Sequence, residues 1–152
     1  MISSPSISFP KINLVKPATI ELAASKSISN RALIIDALCK DQSTLENLAQ
    51  ARDTQLMIKL LAEPGELIDV KDAGTTMRFL TGYFALTNQE KLMTGTARMQ
   101  ERPIGVLVEA LTKLGASIQY MGVDGYPPLK TQGFKQQITD TIEIPGDISS
   151  QY

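Results

Sequence analysis

A short pattern recurs three times along this sequence of 152 residues, and it constrains the fold more than any other feature. Each copy has an apolar extended stretch, a loop of small or polar residues, and then a helical pattern. The copies begin at Thr19, Ile68 and Thr141, each with a serine or threonine eight residues later. Strands that alternate with helices indicate an α/β fold, and repeats of one unit bury a shared core by packing together. We therefore predict a repeated strand–helix–strand–helix unit that a terminal strand or a hairpin closes.

Hydrophobic periodicity and turn residues place the elements of this unit. Helices are predicted at 27–40, 53–61, 74–87 and 103–114. Strands are predicted at 18–23, 43–48, 67–70, 90–94, 116–121, 128–132 and 138–144. We interpret Asp53 as the N-cap of the second helix, and Pro103 as the first residue of the fourth, with Gly115 just past its end. The chain would then hold one shortened copy of the unit, one full copy and the opening of a third.

The residue types that are missing narrow the chemistry. The sequence has no histidine, which excludes Ser-His-Asp and Cys-His nucleophilic machinery. Its single cysteine, Cys39, cannot form a disulfide within the chain or supply the thiolates of a closed zinc site. The formal net charge is −1, so an anion site has to be local. The remaining lysines, arginines, carboxylates, hydroxyls and backbone amides favour anion binding and acid–base chemistry.

The hydropathy of the chain carries no targeting or membrane signal. Residues 1–16 lack the charged start and the continuous apolar stretch of a signal peptide. No segment approaches the roughly 20 apolar residues of a membrane-spanning helix. We therefore expect a cytoplasmic protein, to which the single cysteine is also suited.

Cations, glycine and hydroxyl groups collect where the predicted helices begin. The backbone N–H groups and the dipole at a helix N-terminus favour an anion, and they mildly disfavour a cation that no anion neutralises. Loops of this kind from several repeats can place such N-termini around one point. Ordinary helix capping also explains each loop taken alone, so both interpretations stay open. The residues concerned are Lys26, Ser27, Arg31, Gly74, Arg102, Ser149 and Ser150.

Five strings occur in order along the chain: SKSISNRAL at 25–33, AGTTMR at 73–78, RMQERPIG at 98–105, YPPL at 126–129 and GDISSQ at 146–151. Together they resemble the enolpyruvyl-shikimate-phosphate synthase family (3-phosphoshikimate 1-carboxyvinyltransferase). Five strings in one order are far more specific than any one of them, and they extend over most of the chain.

The resemblance implies an α/β fold of repeated βαβαββ units that form one lobe of the two-lobed enolpyruvyl transferase fold, with the active site between the lobes. Residues 18–152 would be an incomplete N-terminal lobe, with two repeats and the start of a third. Residues 1–17 would be an N-terminal arm that belongs to the missing lobe. The partner implied is thus the second lobe of the same enzyme, with no nucleic acid and no membrane.

The resemblance also implies a reaction. The family transfers the enolpyruvyl group of phosphoenolpyruvate to the 5-hydroxyl of shikimate-3-phosphate and releases phosphate, through a tetrahedral intermediate. This is a step toward chorismate and the aromatic amino acids, and neither a metal nor an organic cofactor is implied. The second lobe normally supplies the acid–base carboxylates and further cations, so we expect this chain alone to show no turnover.

Residue roles follow from matching the strings one by one. Lys26 resembles the catalytic lysine that contacts both substrates, and Gln151 resembles the glutamine that also touches both. Gly74 and Arg102 resemble phosphoenolpyruvate ligands. The residues that resemble shikimate-3-phosphate ligands are Lys26, Ser27, Arg31, Ser149, Ser150 and Gln151.

Departures from the family pattern keep other functions open. Asp72 stands where asparagine is usual, Phe79 stands where proline is common, and the segment between Leu61 and Asp72 is shorter than usual. A UDP-sugar enolpyruvyl transferase shares the fold and the reaction type, although the string at 25–33 argues against it. A non-catalytic phosphate-binding module of the same fold is the alternative from another class.

Overall fold

The computed structural model describes residues 7–8, 10, 19–39 and 43–144. The helices are α1 (Lys26–Leu38), α2 (Arg52–Leu61), α3 (Gly74–Leu86), α4 (Ala97–Gln100) and α5 (Gly105–Leu114). The strands are β1 (Leu67–Asp69), β2 (Lys91–Thr94), β3 (Ala116–Tyr120) and β4 (Leu129–Phe134). Ser149, Ser150 and Gln151 lie outside the described residues, as does the predicted arm at 1–17 apart from residues 7, 8 and 10. Of the helices described, none is long and apolar enough to cross a membrane.

One four-stranded mixed sheet organises residues 67–134. Its order is β1-β2-β4-β3, in which β1 and β2 are parallel and β4 runs antiparallel to both β2 and β3. A parallel pair needs a crossover connection, and α3 supplies it between β1 and β2. The chain order through this region is β1-α3-β2-α5-β3-β4, with the short α4 before α5. The predicted βαβαββ unit is therefore present once in the part of the chain that the structure describes.

Helix α3 carries the centre of the core. Its Met77, Leu80 and Phe84 recur at helical spacing and are at most 1% exposed. They pack in one cluster with the strand residues Ile68 and Met93, which are fully buried. Burying a large apolar side chain stabilises a fold by about 1.5–3 kcal/mol relative to leaving it exposed. This apolar layer therefore holds α3, and the turn that precedes it, in place on the sheet.

The helix predicted at 103–114 begins later than its sequence pattern indicates. α5 begins at Gly105, and Pro103 lies two residues before it, in the connection from α4. Ile104 is the N-cap of α5, and its N–H donates to Gly125 O at 2.8 Å. The helix therefore begins beside this long-range hydrogen bond and not at Pro103. The predicted end is confirmed, because Gly115 is the C-cap and has the left-handed backbone (φ 115°) that glycine accepts without strain.

The strand predicted at 18–23 is wrong over its described residues, 19–23, and the strand predicted at 43–48 is wrong. Residues 19–23 are irregular, and Ile20 and Leu22 are 78% and 86% exposed. The segment 43–48 is interrupted by Asn47, whose left-handed backbone (φ 54°) does not occur in a strand. An extended segment is stable only when its backbone groups and apolar side chains find partners, and neither segment pairs with the sheet. Within the described residues, the first copy of the repeat therefore consists of α1 and α2.

The strand predicted at 138–144 is also wrong. The Thr139 hydroxyl donates to Thr141 O at 3.0 Å and accepts from Thr141 N at 3.2 Å, which is a local alternative to a β-ladder. The N–H of Ile138 donates to Leu114 O at 3.0 Å, at the end of α5, and not to a neighbouring strand. This segment therefore packs beside the sheet unit without extending the sheet.

A polar contact fixes how α1 lies on α2. Thr54 Oγ1 donates to Asn30 Oδ1 at 2.8 Å, and both residues are fully buried. Removing either partner would leave a buried polar atom unsatisfied, at a cost of about 1–3 kcal/mol. Because Asn30 lies in the second turn of α1 and Thr54 in the first turn of α2, this contact brings the N-terminal turns of the two helices together.

Candidate functional site

The carboxyl ends of β1 and β2, with the turns at 70–73 and 95–96, form one edge of the sheet that we call the loop edge. Because the two strands are parallel, these turns lie side by side, and α3 and α4 begin there. Val70 N donates to Thr94 O at 2.9 Å, and Thr96 N donates to Lys71 O at 3.2 Å. Ligands of open α/β sheets bind outside the carboxyl ends of the strands. The loop edge is therefore the candidate functional site.

Gly74 and Arg102 meet at the loop edge. Gly74 is the buried first residue of α3, and Arg102 lies in the connection from α4 to α5. A Cβ added to Gly74 would lie 2.6 Å from Cζ of Arg102 and 2.8 Å from its Nη2, so the guanidinium rests on the glycine backbone. The positive charge of Arg102 and the N-terminus of α3 both favour an anion at this position. The fold thus brings together Gly74 and Arg102, which are two of the four predicted phosphoenolpyruvate ligands.

Lys26 begins α1 and is paired with a carboxylate. Its Nζ lies 3.0 Å from Asp53 Oδ2, and the two side chains are 48% and 30% exposed. From the sequence alone, a cation at this helix start suggests a bound anion, but Asp53 supplies the negative charge within the chain. Asp53 lies in the first turn of α2, and the predicted N-cap position belongs to Ala51 instead. A partly exposed pair contributes about 1 kcal/mol or less, so an anionic ligand can compete with it.

Asp53 also lies close to the turn that leads into Gly74. A small cavity of about 30 Å³ separates the start of α2 from this turn, and its lining includes Asp53, Asp72 and Ala73. Gly74 follows Ala73 directly in the chain. Lys26 and Asp53 therefore lie beside the loop edge, next to the turn that leads into Gly74.

Arg31 lies one turn into α1, and it contacts Phe79 of α3. Its Nη1 donates to Ser27 O at 3.1 Å, and its Cζ lies 5.6 Å from the centroid of the Phe79 ring. A guanidinium over an aromatic face is a cation–π contact, which gives a structural role to Phe79. Both residues line an apolar cavity of about 420 Å³ between α1 and α3. Among the described residues, no hydrogen bond or ion pair links Arg31 to Gly74 or Arg102.

Asp72, which stands where the family string usually has asparagine, is hydrogen-bonded across the loop edge. It accepts a hydrogen bond from the hydroxyl of Thr96. Thr96 is also the N-cap of α4, because its Oγ1 accepts from Met99 N at 3.4 Å. Asp72 therefore joins the turn before α3 to the start of α4, and its charge lies beside helix N-termini that favour an anion.

Asp69, the last residue of β1, has a perturbed pKa. Partial burial acts to raise the pKa of its carboxyl, but hydrogen bonds from the Lys71 side chain and backbone N–H, together with the charge of the lysine, hold that pKa below its ordinary value. The ionised carboxylate therefore stabilises the fold above its unfolded-state pKa. This stabilisation is lost as the pH falls through the lower folded-state value.

We expect Asp69→Asn to make the stability of the protein less sensitive to acid. Between neutral pH and about pH 3, the stability of the original chain should fall further than that of the variant, which has no carboxylate to protonate. The difference should be about 1 kcal/mol or less, because both members of the pair are more than a third exposed and solvent screens them. Thermal unfolding at several pH values measures it, with the exposed Glu46→Gln as the control. Identical acid sensitivity of the original chain and Asp69→Asn would contradict this expectation.

Sequence reasoning missed three residues that the fold brings to the loop edge. Asp53 and Thr96 contact residues of other elements, and nothing in the local sequence indicates those pairings. Arg78 donates from Nη1 to Gly74 O at 3.2 Å and from Nη2 to Pro103 O at 2.9 Å. Its place in the string AGTTMR, four residues after Gly74 on one helix face, is the feature that could have singled it out.

Known proteins resemble this chain in sequence. The model of one family, EPSP synthase (3-phosphoshikimate 1-carboxyvinyltransferase), matches residues 15–72 and 61–152. A 3-phosphoshikimate 1-carboxyvinyltransferase from Bacteroides fragilis (strain YCH46) is 53% identical over 135 residues, which cover 89% of this chain and 33% of the relative. One from Ralstonia pickettii (strain 12J) is 35% identical over 158 residues, covering 88% and 36%. This chain therefore spans about a third of the length of these relatives.

Solved structures resemble the fold. An EPSP synthase from Acinetobacter baumannii superposes with a TM-score of 0.74 at 20% identity, over 83% of this chain and 34% of the other. A second structure of EPSP synthase from that organism, at 2.37 Å, gives a TM-score of 0.70 at 21% identity, over 78% and 32%. These likenesses confirm the predicted α/β lobe architecture. The family match over most of the sequence shows that the chain belongs to the EPSP synthase family.

Proposed function

We propose that this chain provides part of the active site of an enolpyruvyl transferase. The reaction moves the enolpyruvyl group of phosphoenolpyruvate to the 5-hydroxyl of shikimate-3-phosphate and releases phosphate, in the cytoplasm, on the path to chorismate and the aromatic amino acids. The observation that carries the proposal is the guanidinium of Arg102 resting on Gly74 at the start of α3. A fixed cation beside a helix N-terminus, with no side chain between them, suits a small ligand that has a carboxylate and a phosphate.

Phosphoenolpyruvate is proposed to bind where Gly74 and Arg102 meet. The absent side chain of Gly74 lets the ligand approach the backbone of α3, and the planar guanidinium of Arg102 can bind a carboxylate or phosphate through two N–H groups. Lys26 lies further along the same loop edge, and its partly exposed pair with Asp53 can exchange for a substrate oxygen. Gln151 is also proposed to bind phosphoenolpyruvate, because its string, GDISSQ at 146–151, resembles that of the family.

Shikimate-3-phosphate is proposed to bind beside the first turns of α1. Lys26, Ser27 and Arg31 are all exposed there, so their polar groups are accessible to a ligand. Arg31 is already oriented by Ser27 O and by the Phe79 ring, which limits the rotamer entropy that binding would cost. The remaining ligands proposed by resemblance are Ser149, Ser150 and Gln151.

The chemistry requires this lobe to neutralise charge and to orient two anions. The 5-hydroxyl loses its proton to a base as its oxygen adds to C2 of phosphoenolpyruvate, while an acid delivers a proton to C3. The tetrahedral intermediate then loses phosphate as a proton leaves C3. Lys26 and Arg102 would stabilise the carboxylate and phosphate charges through these steps. Holding the two substrates side by side removes much of the entropic barrier. The acid–base carboxylates are proposed to come from a second lobe, which is the partner this lobe requires.

A fusion protein tests the proposed function. This chain would replace the matching third of the Bacteroides fragilis relative, and we expect phosphate release that requires both substrates.

In the fusion, Arg102→Ala should lower kcat/KM by roughly 10²–10³-fold, because one or two charge-assisted hydrogen bonds of about 1.5–3 kcal/mol are lost. The KM for phosphoenolpyruvate should rise more than that for shikimate-3-phosphate. Arg98→Ala removes an equal charge from the exposed surface of α4 and should change kcat/KM by less than about tenfold.

Other outcomes of this experiment identify the alternatives. Amide-signal titrations of the chain alone with phosphoenolpyruvate, shikimate-3-phosphate and inorganic phosphate would accompany it. An inactive fusion, with equal responses to all three anions, would overturn the proposal in favour of a non-catalytic phosphate-binding module. Turnover with a UDP-sugar acceptor in place of shikimate-3-phosphate would reassign the acceptor. The names of the relatives support the shikimate-phosphate acceptor.

A further inference from the structure

Arg78 joins the two parts of the loop edge that hold Gly74 and Arg102. It lies in the second turn of α3, and its Nη1 donates to Gly74 O at 3.2 Å. Its Nη2 donates to Pro103 O at 2.9 Å, in the connection between α4 and α5. One guanidinium therefore links the first residue of α3 to the residue that follows Arg102.

The second of these bonds bears directly on where Arg102 lies. Pro103 follows Arg102 in the chain, so a bond to the Pro103 carbonyl restrains the backbone on one side of Arg102. On the other side, the N–H of Arg102 itself donates to Met99 O at 3.1 Å. The backbone of Arg102 is thus held from both directions, while its guanidinium rests on Gly74.

We propose that Arg78 is a positioning residue, which sets the distance between Gly74 and the guanidinium of Arg102 by holding the carbonyls of Gly74 and Pro103. The effect on catalysis rests on the function proposed above for Gly74 and Arg102. The geometric effect does not rest on it, because it concerns contacts within the ligand-free chain.

Arginine suits this role better than lysine. Its planar guanidinium presents several N–H donors in a rigid fork, which can reach two carbonyls on separate elements at once. A lysine carries the same charge on a single ammonium at the end of a flexible stem. Arg78→Lys therefore keeps the charge near the loop edge and removes the rigid two-carbonyl bridge. This separates positioning from a simple effect of charge.

The first readout of the test is structural and needs no ligand. In the 152-residue chain, nuclear Overhauser contacts between the α protons of Gly74 and the side chain of Arg102 report their proximity. We expect these contacts in the original chain and in Arg98→Ala, and we expect them to be lost in Arg78→Ala and weakened in Arg78→Lys. Unchanged contacts in a folded Arg78→Ala would overturn the proposal. If Arg78→Ala does not fold, unchanged contacts in Arg78→Lys would overturn it.

The second readout separates this proposal from the proposed function. In the fusion with the Bacteroides fragilis relative, Arg78→Lys should raise the KM for phosphoenolpyruvate by roughly tenfold, because a misplacement of about 1 Å in a site can cost up to 10²-fold. The KM for shikimate-3-phosphate should stay within about twofold, since the two carbonyls that Arg78 holds, those of Gly74 and Pro103, lie on the phosphoenolpyruvate side. Equal rises for both substrates would overturn the assignment of Arg78 to the phosphoenolpyruvate side. If Gly74 and Arg102 do not respond to phosphoenolpyruvate in the original chain, the proposed function fails, while the Overhauser contacts still decide the positioning role.

Discussion

Replacing Gly74 with alanine is expected to weaken phosphoenolpyruvate binding by roughly 10–100-fold, which corresponds to one charge-assisted hydrogen bond of about 1.5–3 kcal/mol. The added methyl group would overlap the guanidinium of Arg102, whose Cζ lies 2.6 Å from the position of the new Cβ. Since real Cβ atoms do not approach other atoms this closely, Arg102 has to move. The ligand would also meet a methyl group where we propose that it contacts the Gly74 backbone. The KM for phosphoenolpyruvate in the fusion measures the effect, with shikimate-3-phosphate as the internal reference.

Gly82→Ala is the matched control for this substitution. Gly82 lies in the same helix, and a Cβ added there meets no heavy atom within 4 Å. An alanine in an open helix interior should stabilise the protein by about 0.5–1 kcal/mol. It should leave the KM for phosphoenolpyruvate unchanged. Equal KM values for Gly74→Ala, Gly82→Ala and the original protein would mean that the ligand does not contact Gly74 and that Arg102 is not part of its subsite.

Leu80→Ala should destabilise the protein by about 2–5 kcal/mol, as other buried leucine truncations do. Leu80 is completely buried in α3, where its side chain packs in the cluster that contains Ile68 and Phe84. Truncation removes apolar contacts of the Leu80 side chain. It also leaves a cavity, because the surrounding core residues relax only partly to fill it. Small domains are stable by only about 5–15 kcal/mol, so this loss is a large fraction of the total. Urea unfolding of the 152-residue chain, followed by far-UV circular dichroism, measures the change.

Leu86→Ala provides the control for that prediction, because it makes the same chemical change in the same helix. Leu86 ends α3 and is 56% exposed. Its truncation should change the free energy of unfolding by about 0.5 kcal/mol or less. A loss of stability for Leu80→Ala no larger than that for Leu86→Ala would show that α3 does not carry the core in solution as the structure describes.

The two predictions concern the same helix, because α3 serves the core and the loop edge at once. Its apolar side chains, among them Leu80, pack on the sheet, and its first residue, Gly74, lies under Arg102. A loss of core packing would therefore also shift Gly74 relative to Arg102. For this reason the KM effect of Gly74→Ala is to be measured well below the unfolding temperature of each variant.

The sequence predicted which residues belong to the candidate site, but it did not predict the contacts between them. The strings identify Lys26, Gly74 and Arg102, because glycine and cations at helix starts are typical of anion sites. They do not reveal that Asp53 neutralises Lys26, since that ion pair joins residues 27 positions apart on different helices. The prediction for Ser149 and Ser150 remains a prediction, because these residues lie outside the part of the chain that the structure describes.

Local sequence by itself determined the elements that are specified by residues close to one another in the chain. Helix α3, the C-terminal end of α5 at Gly115, and the strand pair of β3 and β4 follow from helical periodicity, a glycine C-cap and turn residues, which act within a few positions. Only the tertiary structure decided which extended segments became strands, because a strand needs a partner: β1 and β2 pair, whereas 19–23 and 43–48 do not. Only the tertiary structure placed Arg78 on the Pro103 carbonyl, 25 residues away, and Arg102 on Gly74. Such contacts depend on how helices pack at the carboxyl ends of parallel strands, and no local pattern encodes that packing.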